Sequence, residues 1–345
     1  MTRHKYSKNL FTRKPGGELP SIIVAETENL QSKFVVQKVL ELREQGVPLN
    51  ETAVLFRSGY LSFDLEIELN KANIPFVKYG GFKFVETAHI KDLVAHLRVL
   101  ENPRDAVAWN RILLLLDGVG PRTAEKVIDD VLARRITLPA DGRGSTLPVF
   151  WATFSGYPDK IRSLFDMLKS VSAEGMNPAE KVQHLIDYYH PLFTRRYDDY
   201  NKRVKDLEMF QQITDRYRTV ASLLNDLSLE PAAESITDIT PPGTDDEKLV
   251  LSTIHSAKGL EWNSVFVIYA LEGRFPNTRA AISDDAMEEE RRLMYVACTR
   301  AKENLFIAYP VNVYDRESGL VLSKPSRFIA GMPENLIDTW VVDEE

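Results

Sequence analysis

The feature that most constrains the fold is an alternating β/α pattern that stops near residue 85 and resumes near residue 248. Short apolar runs rich in β-branched residues, typical of buried strands, alternate with segments whose apolar residues have helical spacing. Between residues 85 and 229 helical spacing dominates, and strand-like runs almost vanish. The strand-like runs lie at 21–25, 53–56, 75–79, 248–254, 264–270 and 304–309.

This pattern predicts an α/β fold in which an all-helical domain is inserted into a parallel-sheet domain. The sheet domain is expected to comprise residues 1–84 and 248–335, and the helical domain residues 85–247. A segment rich in proline and acidic residues, 234–247, is expected to be one of two linkers between them.

Composition excludes several classes of protein. The chain has no run of about eighteen apolar residues, and its first ten residues are polar and basic, so neither a membrane span nor a signal peptide is expected. A single cysteine, Cys298, excludes an internal disulfide and a cysteine-cluster metal site, and no other metal site is predicted. With a net charge of −7, any nucleic acid must be bound by local basic patches. We expect a cytoplasmic, monomeric chain without a membrane partner.

A polar loop follows the strand-like run at 248–254 and precedes the next run. Loops at strand ends of open α/β sheets bind ligands, so this loop is a candidate recognition site. A polar connector with a turn glycine is the more economical interpretation from spacing alone, because these residue types are common in loops. The polar residues in question are Thr253, His255, Lys258, Gly259 and Glu261.

A long amphipathic helix is predicted over residues 284–302. Its apolar stripe includes Leu293 and Ala297, and Arg300 falls on the same face. An arginine on an inward face either pairs with a carboxylate or projects from the domain edge towards a phosphate, and both interpretations stay open. The run of three acids and two arginines at 288–292 is expected to form a solvated first turn.

Two glycines lie beside a predicted helix start within the helical stretch. Gly118 and Gly120, followed by Pro121, Arg122 and Thr123, are arranged so that backbone N–H groups can meet a phosphate. The alternative is an ordinary helix-to-helix turn, with glycine at positive φ and proline at the first helical position. The residues alone favour the turn.

Several segments together resemble a known family. LSTIHSAKGLEWNSVFVI and MEEERRLMYVACTRAKENLFI resemble motifs V and VI of UvrD/PcrA/Rep-type superfamily 1 DNA helicases. Upstream, AVLFRS and NIPFVKYGGFKFVETAHIKDLVAHLRVL resemble the motif IV region and the entry into the accessory domain of the family, and PSRFI resembles the end of its motor. The matches cover nearly the whole chain in the order of the family, which makes the resemblance far more specific than any single motif.

The resemblance implies a RecA-like second motor domain that closes on ATP and Mg²⁺ held by a first motor domain. Arg300 matches the motif VI arginine that contacts the γ-phosphate as an arginine finger. Glu261 matches the motif V glutamate near the nucleotide sugar, and Lys258 and Gly259 help to define that loop.

The same resemblance implies contacts with DNA. Thr253 and His255 match positions that approach the single-stranded DNA backbone, and Arg57 matches a motif IV-region arginine that contacts the strand. The chain departs from the family at Gly59 and Phe63, where asparagine and arginine are common, which reduces the expected set of DNA contacts. In the accessory domain, duplex DNA is expected to meet the glycine loop at Gly118, Gly120, Arg122 and Thr123.

A motor of this class also needs a loop of the form G-x-x-x-x-G-K-[ST] to hold the nucleotide phosphates. The chain contains no Gly-Lys dipeptide. The run 340–342, followed by Asp343 and Glu344, looks like a strand that ends in magnesium-binding acids, but we expect it to lie in a C-terminal tail, 336–345, without that role. We therefore expect the first motor domain to precede Met1 and this chain alone to be inactive in ATP hydrolysis.

The resemblance implies a 3′-to-5′ DNA helicase whose partners are single-stranded DNA, single-strand/double-strand junction DNA and the missing N-terminal motor half. An alternative is a non-hydrolysing DNA-binding or regulatory protein that keeps the same fold. Arg300 and Glu261 favour the helicase, because a pure binding module has no use for a γ-phosphate contact. A helicase–nuclease has little support, because the chain ends soon after PSRFI.

Overall fold

In the computed structural model the chain forms two compact units, Met1–Lys83 with Glu230–Glu345 and Phe84–Leu229. We call the first the α/β unit and the second the helical unit. The predicted linker 234–247 lies outside the described residues, except for Glu247. The structure describes residues 17–80, 84–133, 159–173, 175–228, 247–315 and 319–343.

Strands and helices alternate from β1 to β3 in the α/β unit, whereas the helical unit contributes seven described helices in succession. In chain order the elements are β1 (Ser21–Thr27), α1 (Glu28–Glu44), β2 (Thr52–Phe56), α2 (Phe63–Lys71), β3 (Phe76–Tyr79), α3 (Ala88–Glu101), α4 (Ala106–Leu113), α5 (Pro121–Leu132), α6 (Asp159–Val171), α7 (Pro178–Arg196), α8 (Tyr200–Thr214), α9 (Val220–Ser228), β4 (Leu249–Thr253), β5 (Trp262–Val267), α10 (Asp284–Cys298), β6 (Ala301–Asp315), β7 (Gly319–Leu322) and β8 (Asp338–Val342).

The strands of the α/β unit form one sheet in the order β3-β4-β2-β5-β6-β1-β8, with all neighbours on this path parallel. β7 pairs antiparallel with β6. The predicted fold class, a parallel-sheet α/β domain with a helical insertion, is confirmed. None of the described helices is long and apolar enough to span a membrane.

Helices cover both faces of the sheet. β2 is buried along its whole length. Val54 and Phe56 pack in a cluster with α1 and α2, whereas Ala53 and Leu55 pack in a second cluster with α10. This burial on two faces explains why the strands appear in the sequence as continuous apolar runs and not as alternating ones.

The register aligns the strand ends into two edges. β2 and β4 finish together at the carboxyl edge, where Phe56 lies opposite Thr253. β5 and β6 begin together at the amino edge, where Trp262 lies opposite Ala301. A strand of this length spans roughly 16 Å, so side chains at the two edges lie about that far apart.

The prediction that residues 336–345 form a C-terminal tail beyond the parallel-sheet domain is wrong for Asp338–Val342, which form the edge strand β8. β8 pairs parallel with β1. The Trp340 ring meets Phe34 edge-on at 6.2 Å between centroids, and Lys38 Nζ lies 5.0 Å from the Trp340 ring centroid. Pairing with the distant β1 makes this short terminal run a strand.

The helix predicted over 284–302 ends earlier, at Cys298. Ala301 already belongs to β6, and the backbone N–H of Trp262 donates to Arg300 O at 2.9 Å. Pairing with β5 therefore ends the helix at Cys298, although the helical spacing of the sequence continues beyond that residue. As a result, Arg300 projects from the turn between α10 and β6.

The helical unit packs around a buried carboxylate on α3. Asp92 accepts hydrogen bonds from Tyr189 Oη at 2.5 Å and from Arg111 Nε at 2.7 Å. Trp109 of α4 stacks on Phe165 of α6 at 5.3 Å between ring centroids. Because a buried carboxylate must be paired, Asp92 ties α3 to α4 and α7.

His96 is a buried titratable group on the same helix. Its Nδ1 lies 2.7 Å from Asp92 O, and the rings of Tyr188 and Tyr189 border it. Burial lowers the pKa of His96 to about 4, although the hydrogen bond to Asp92 and the charge of Asp92 act in the opposite direction. The fold therefore accepts the neutral imidazole.

We predict that the helical unit loses stability in mild acid because of His96. Its folded pKa lies below its ordinary value of 6.5, so the unfolded chain binds a proton that the folded chain excludes. The contribution of His96 to the free energy of unfolding is fully present above pH 6.5 and decreases at lower pH. The expected loss is about 2 kcal/mol between pH 7.5 and pH 5. Urea unfolding at both pH values measures this change. His96→Phe should remove this part of the loss, and His184→Phe, at an exposed position, should keep it; equal losses in both variants would contradict the assignment.

Candidate functional site

The carboxyl edge brings hydroxyl groups against a glycine backbone. Thr253 Oγ1 donates to Ser256 Oγ at 3.0 Å, and Ser256 N donates to Thr253 Oγ1 at 3.4 Å. Gly80, which follows β3, has a φ of +78°, and a Cβ there would lie 2.3 Å from Thr253 Oγ1 and 2.6 Å from Ser256 Oγ. Glycine alone fits this position, and its backbone packs directly on the hydroxyl pair.

Arg57, the residue after β2, is held at the same edge by a carboxylate. Arg57 Nε lies 2.9 Å and Nη2 lies 2.7 Å from Glu290 Oε1. Asn277 Nδ2 also donates to Glu290 Oε1, at 2.8 Å. Glu290 is only 4% exposed, so the solvated turn predicted for 288–292 is wrong at this residue. Among the described residues Arg57 Nη1 has no hydrogen-bond partner, which leaves it able to donate to a ligand.

His255 is exposed on the loop after β4. Its partial burial, and then the charge of Arg57, lower the pKa of His255, while Glu290 and Glu289 act in the opposite direction. The ordinary pKa of 6.5 is already below neutrality, so the imidazole is largely neutral at pH 7. A neutral ring binds a ligand through hydrogen bonds and not through charge.

Arg300 lies at the amino edge and is half-buried. Its Nη1 donates to Leu260 O at 2.8 Å and its Nε to Val296 O at 3.0 Å. Its Nη2 donates to Thr299 Oγ1 at 3.0 Å. All three acceptors are neutral, and no carboxylate pairs with Arg300 in the part of the chain that the structure describes. The guanidinium is therefore held in place while its positive charge stays uncompensated there.

Glu261 lies beside Arg300, since it follows Leu260, whose carbonyl binds the guanidinium. Glu261 and Lys258 are exposed, and Gly259 has a φ of +90° with open space around it. The loop 254–261 leads from the carboxyl end of β4 to the amino end of β5. One loop thus joins the two edges of the sheet.

The glycine loop of the helical unit has the geometry of a helix-to-helix turn. Gly118 has a φ of +82°, Gly120 is the N-cap of α5, and Pro121 is at the first helical position. Arg122 is exposed and Thr123 is half-buried at the start of α5. The duplex contact expected of this loop stays a prediction.

The ion pairs of Asp117 lie beside this glycine loop. Lys160 Nζ lies 3.2 Å and Arg195 Nη1 lies 3.4 Å from Asp117 Oδ2. The hydrogen bond and the charge of Lys160 lower the pKa of Asp117, with a smaller contribution from Arg195. Two cations around one carboxylate leave a net positive charge next to the loop.

Sequence reasoning missed Glu290, Asn277 and Gly80. A signal for Glu290 was present, because it precedes Leu293 by three residues and Ala297 by seven, which places it on the apolar stripe. No comparable signal marks Asn277 or Gly80, since their contacts depend on loops that the sheet register brings together. In the described part of the chain no cluster of His, Cys, Asp and Glu side chains is arranged to hold a metal ion.

A family profile described as the UvrD-like helicase C-terminal domain matches residues 1–312. The chain belongs to this family. The ATP-dependent DNA helicase PcrA of Staphylococcus epidermidis is 31% identical over 354 residues, which cover 96% of this chain and 46% of the relative. The ATP-dependent DNA helicase PcrA of Staphylococcus aureus is 30% identical over 353 residues, with the same coverage. The chain spans about half the length of the curated relatives it matches.

We predict that Glu290 stabilises the α/β unit. Glu290→Ala leaves Arg57 and Asn277 without their shared acceptor and should lower the free energy of unfolding by about 2–3 kcal/mol. Glu289→Ala is the matched control, because Glu289 is 58% exposed and pairs with Arg292 on the surface. Its effect should be below about 1 kcal/mol. Urea unfolding compares the two variants, and equal effects would contradict the role of Glu290.

Proposed function

We propose that the chain is the C-terminal portion of an ATP-dependent 3′-to-5′ DNA helicase, with a second motor domain and a duplex-contacting accessory domain. A first motor half holds most of the contacts with ATP and Mg²⁺. The observation that carries this proposal is the uncompensated charge of Arg300 beside Glu261 at the amino edge.

The amino edge suits the terminal phosphate of a nucleotide. Nη1 and Nη2 of Arg300 each carry a second N–H, and these are the donors left for phosphate oxygens. Three hydrogen bonds to neutral acceptors hold the guanidinium before any ligand arrives, so little reorganisation is needed when charge develops on the phosphoryl group. Glu261 is exposed beside it, where it can accept from ribose hydroxyls, and Lys258 and Gly259 shape the same loop.

The carboxyl edge suits a single DNA strand. Thr253 and Ser256 bring hydroxyls, His255 a neutral imidazole, and Arg57 the Nη1 donor. Contacts of this kind bind the sugar–phosphate backbone and position the strand without reading its sequence. With only one cation in this set, salt should weaken binding less than in a lysine-rich site.

The loop 254–261 connects the proposed nucleotide site with the proposed DNA site. Closure on ATP acts at Arg300 and Glu261, at one end of this loop. Thr253 and His255 lie at its other end, so movement at the nucleotide shifts the grip on the strand. This is how a cycle of hydrolysis becomes a step along single-stranded DNA.

The accessory domain contacts duplex DNA at a junction. The backbone N–H groups at the start of α5, with Gly118, Gly120, Arg122 and Thr123, are the proposed phosphate contacts. The positive charge around Asp117 supports them.

The chain alone is proposed to be inactive, because it has no Gly-Lys phosphate loop. The non-hydrolysing alternative is less favoured, since a module that only binds DNA needs no preorganised, uncompensated Arg300.

We predict that Arg300→Ala lowers ATP hydrolysis by about 10³-fold or more, because an arginine finger stabilises the charge of phosphoryl transfer. The assay mixes the chain with a first motor half and single-stranded DNA. Arg292→Ala is the matched control, since Arg292 is an exposed arginine on α10 and should leave the rate unchanged. A full rate in Arg300→Ala would remove the residue from this role. No hydrolysis in the wild-type mixture would favour the non-hydrolysing alternative.

A further inference from the structure

We propose that a buried ion pair, Lys78 with Glu66, positions the DNA-contacting loop after β2; this inference rests on the proposed function. Lys78 lies on β3 and is 0% exposed. Its Nζ lies 2.7 Å from Glu66 Oε1 on α2. The ring centroids of Phe63 and Phe56 lie 4.7 Å and 5.8 Å from the ammonium. Desolvating a charge at such a depth is costly, so an apolar side chain would serve core packing better.

The ion pair also holds a backbone carbonyl of the loop 57–62. Lys78 Nζ donates to Gly59 O at 3.1 Å. Ser62 Oγ lies 2.8 Å from Gly59 O and 2.7 Å from Glu66 Oε1. Gly59 has no side chain that could anchor the loop, so its position depends on these buried groups. Arg57 lies at the start of this loop.

β3 reaches the neighbouring loop as well. Gly80, two residues after Lys78, packs on the hydroxyls of Thr253 and Ser256. A Cβ on Gly59 would lie 4.0 Å from Gly80 O, so the loops after β2 and β3 lie side by side. β3 therefore supports the loop after β2 through Lys78 and the loop after β4 through Gly80.

This arrangement sets the spacing between Arg57 and the hydroxyl pair of Thr253 and Ser256, the groups proposed to contact the DNA backbone. Without the ion pair, Gly59 O loses one of its two buried donors, Lys78 Nζ, and keeps only Ser62 Oγ. The loop then gains freedom, so Arg57 meets the phosphate less often in the right place. Lys78 and Glu66 are themselves too deeply buried to contact DNA. They are positioning residues for the sugar–phosphate backbone of single-stranded DNA.

A second consequence of Lys78 is separable from this role. β3 is an edge strand, and an inward-pointing charge on an edge strand discourages pairing with the edge of another sheet. If that were its whole role, removing the charge would cause self-association without changing DNA affinity.

The test is the double variant Lys78→Met/Glu66→Gln, which removes both charges and keeps similar volumes. Affinity for fluorescein-labelled oligo(dT) is measured by anisotropy over a range of salt concentrations, with the thermal midpoint as the check on folding. The matched control is Lys205→Met/Glu208→Gln, a surface pair at 2.7 Å in the helical unit. Ser62→Ala is a milder second variant, because it removes one contact with Gly59 O and no charge.

We expect the double variant to bind oligo(dT) about tenfold more weakly. The slope of the logarithm of the binding constant against the logarithm of the salt concentration should be smaller by about 0.7, the value for one lost phosphate contact on a single strand. Ser62→Ala should weaken binding about threefold, and it decides the question if the double variant does not fold. Unchanged affinity and slope in folded variants, with or without self-association, would overturn the positioning role. A wild-type chain that does not bind oligo(dT) would overturn the proposed DNA site itself, a result recognised because neither the wild type nor the control then binds.

Discussion

The parallel register of β2, β4, β5 and β6 is the constraint on which the rest of the structure depends. It places Thr253 at one edge of the sheet and Trp262 at the other, so the short loop between them has to cross from edge to edge. Residues close together in sequence thereby lie at the two proposed sites, a full strand apart. The register also places Arg300 at the amino edge, because β6 begins beside Trp262 and α10 ends just before β6.

Charge is treated differently at the two edges. At the carboxyl edge, Arg57 is paired with the buried Glu290, and Lys78 with the buried Glu66. These pairs give the loops fixed positions and leave little net charge at this edge. At the amino edge, Arg300 is held by neutral acceptors, and its positive charge is not paired with a carboxylate in the described part of the chain. The cations at the carboxyl edge are thus neutralised by ion pairs that fix the loops, whereas Arg300 at the amino edge is fixed by neutral groups.

Much of the fold was predictable, because strands covered on both faces appear as continuous apolar runs and the helical insertion lacks such runs. β8 and the end of α10 were not, since both are set by pairing with distant strands. At the site, the resemblance supplied Arg300 and Glu261, while their common edge required the register. Glu290 could have been found on its helical stripe. Lys78 could not, because its partner Glu66 lies on another element and its own run is otherwise apolar.

Nucleotide and DNA are proposed to bind opposite edges of one sheet. Hydrogen exchange of the backbone amides, read by mass spectrometry in the presence of a first motor half, tests it most directly. Oligo(dT) alone should protect the segments 57–62 and 253–256, and a non-hydrolysable ATP analogue alone should protect 259–262 and 299–301. Protection of the same segments by both ligands, or protection of the two sets in the reverse order, would contradict the account.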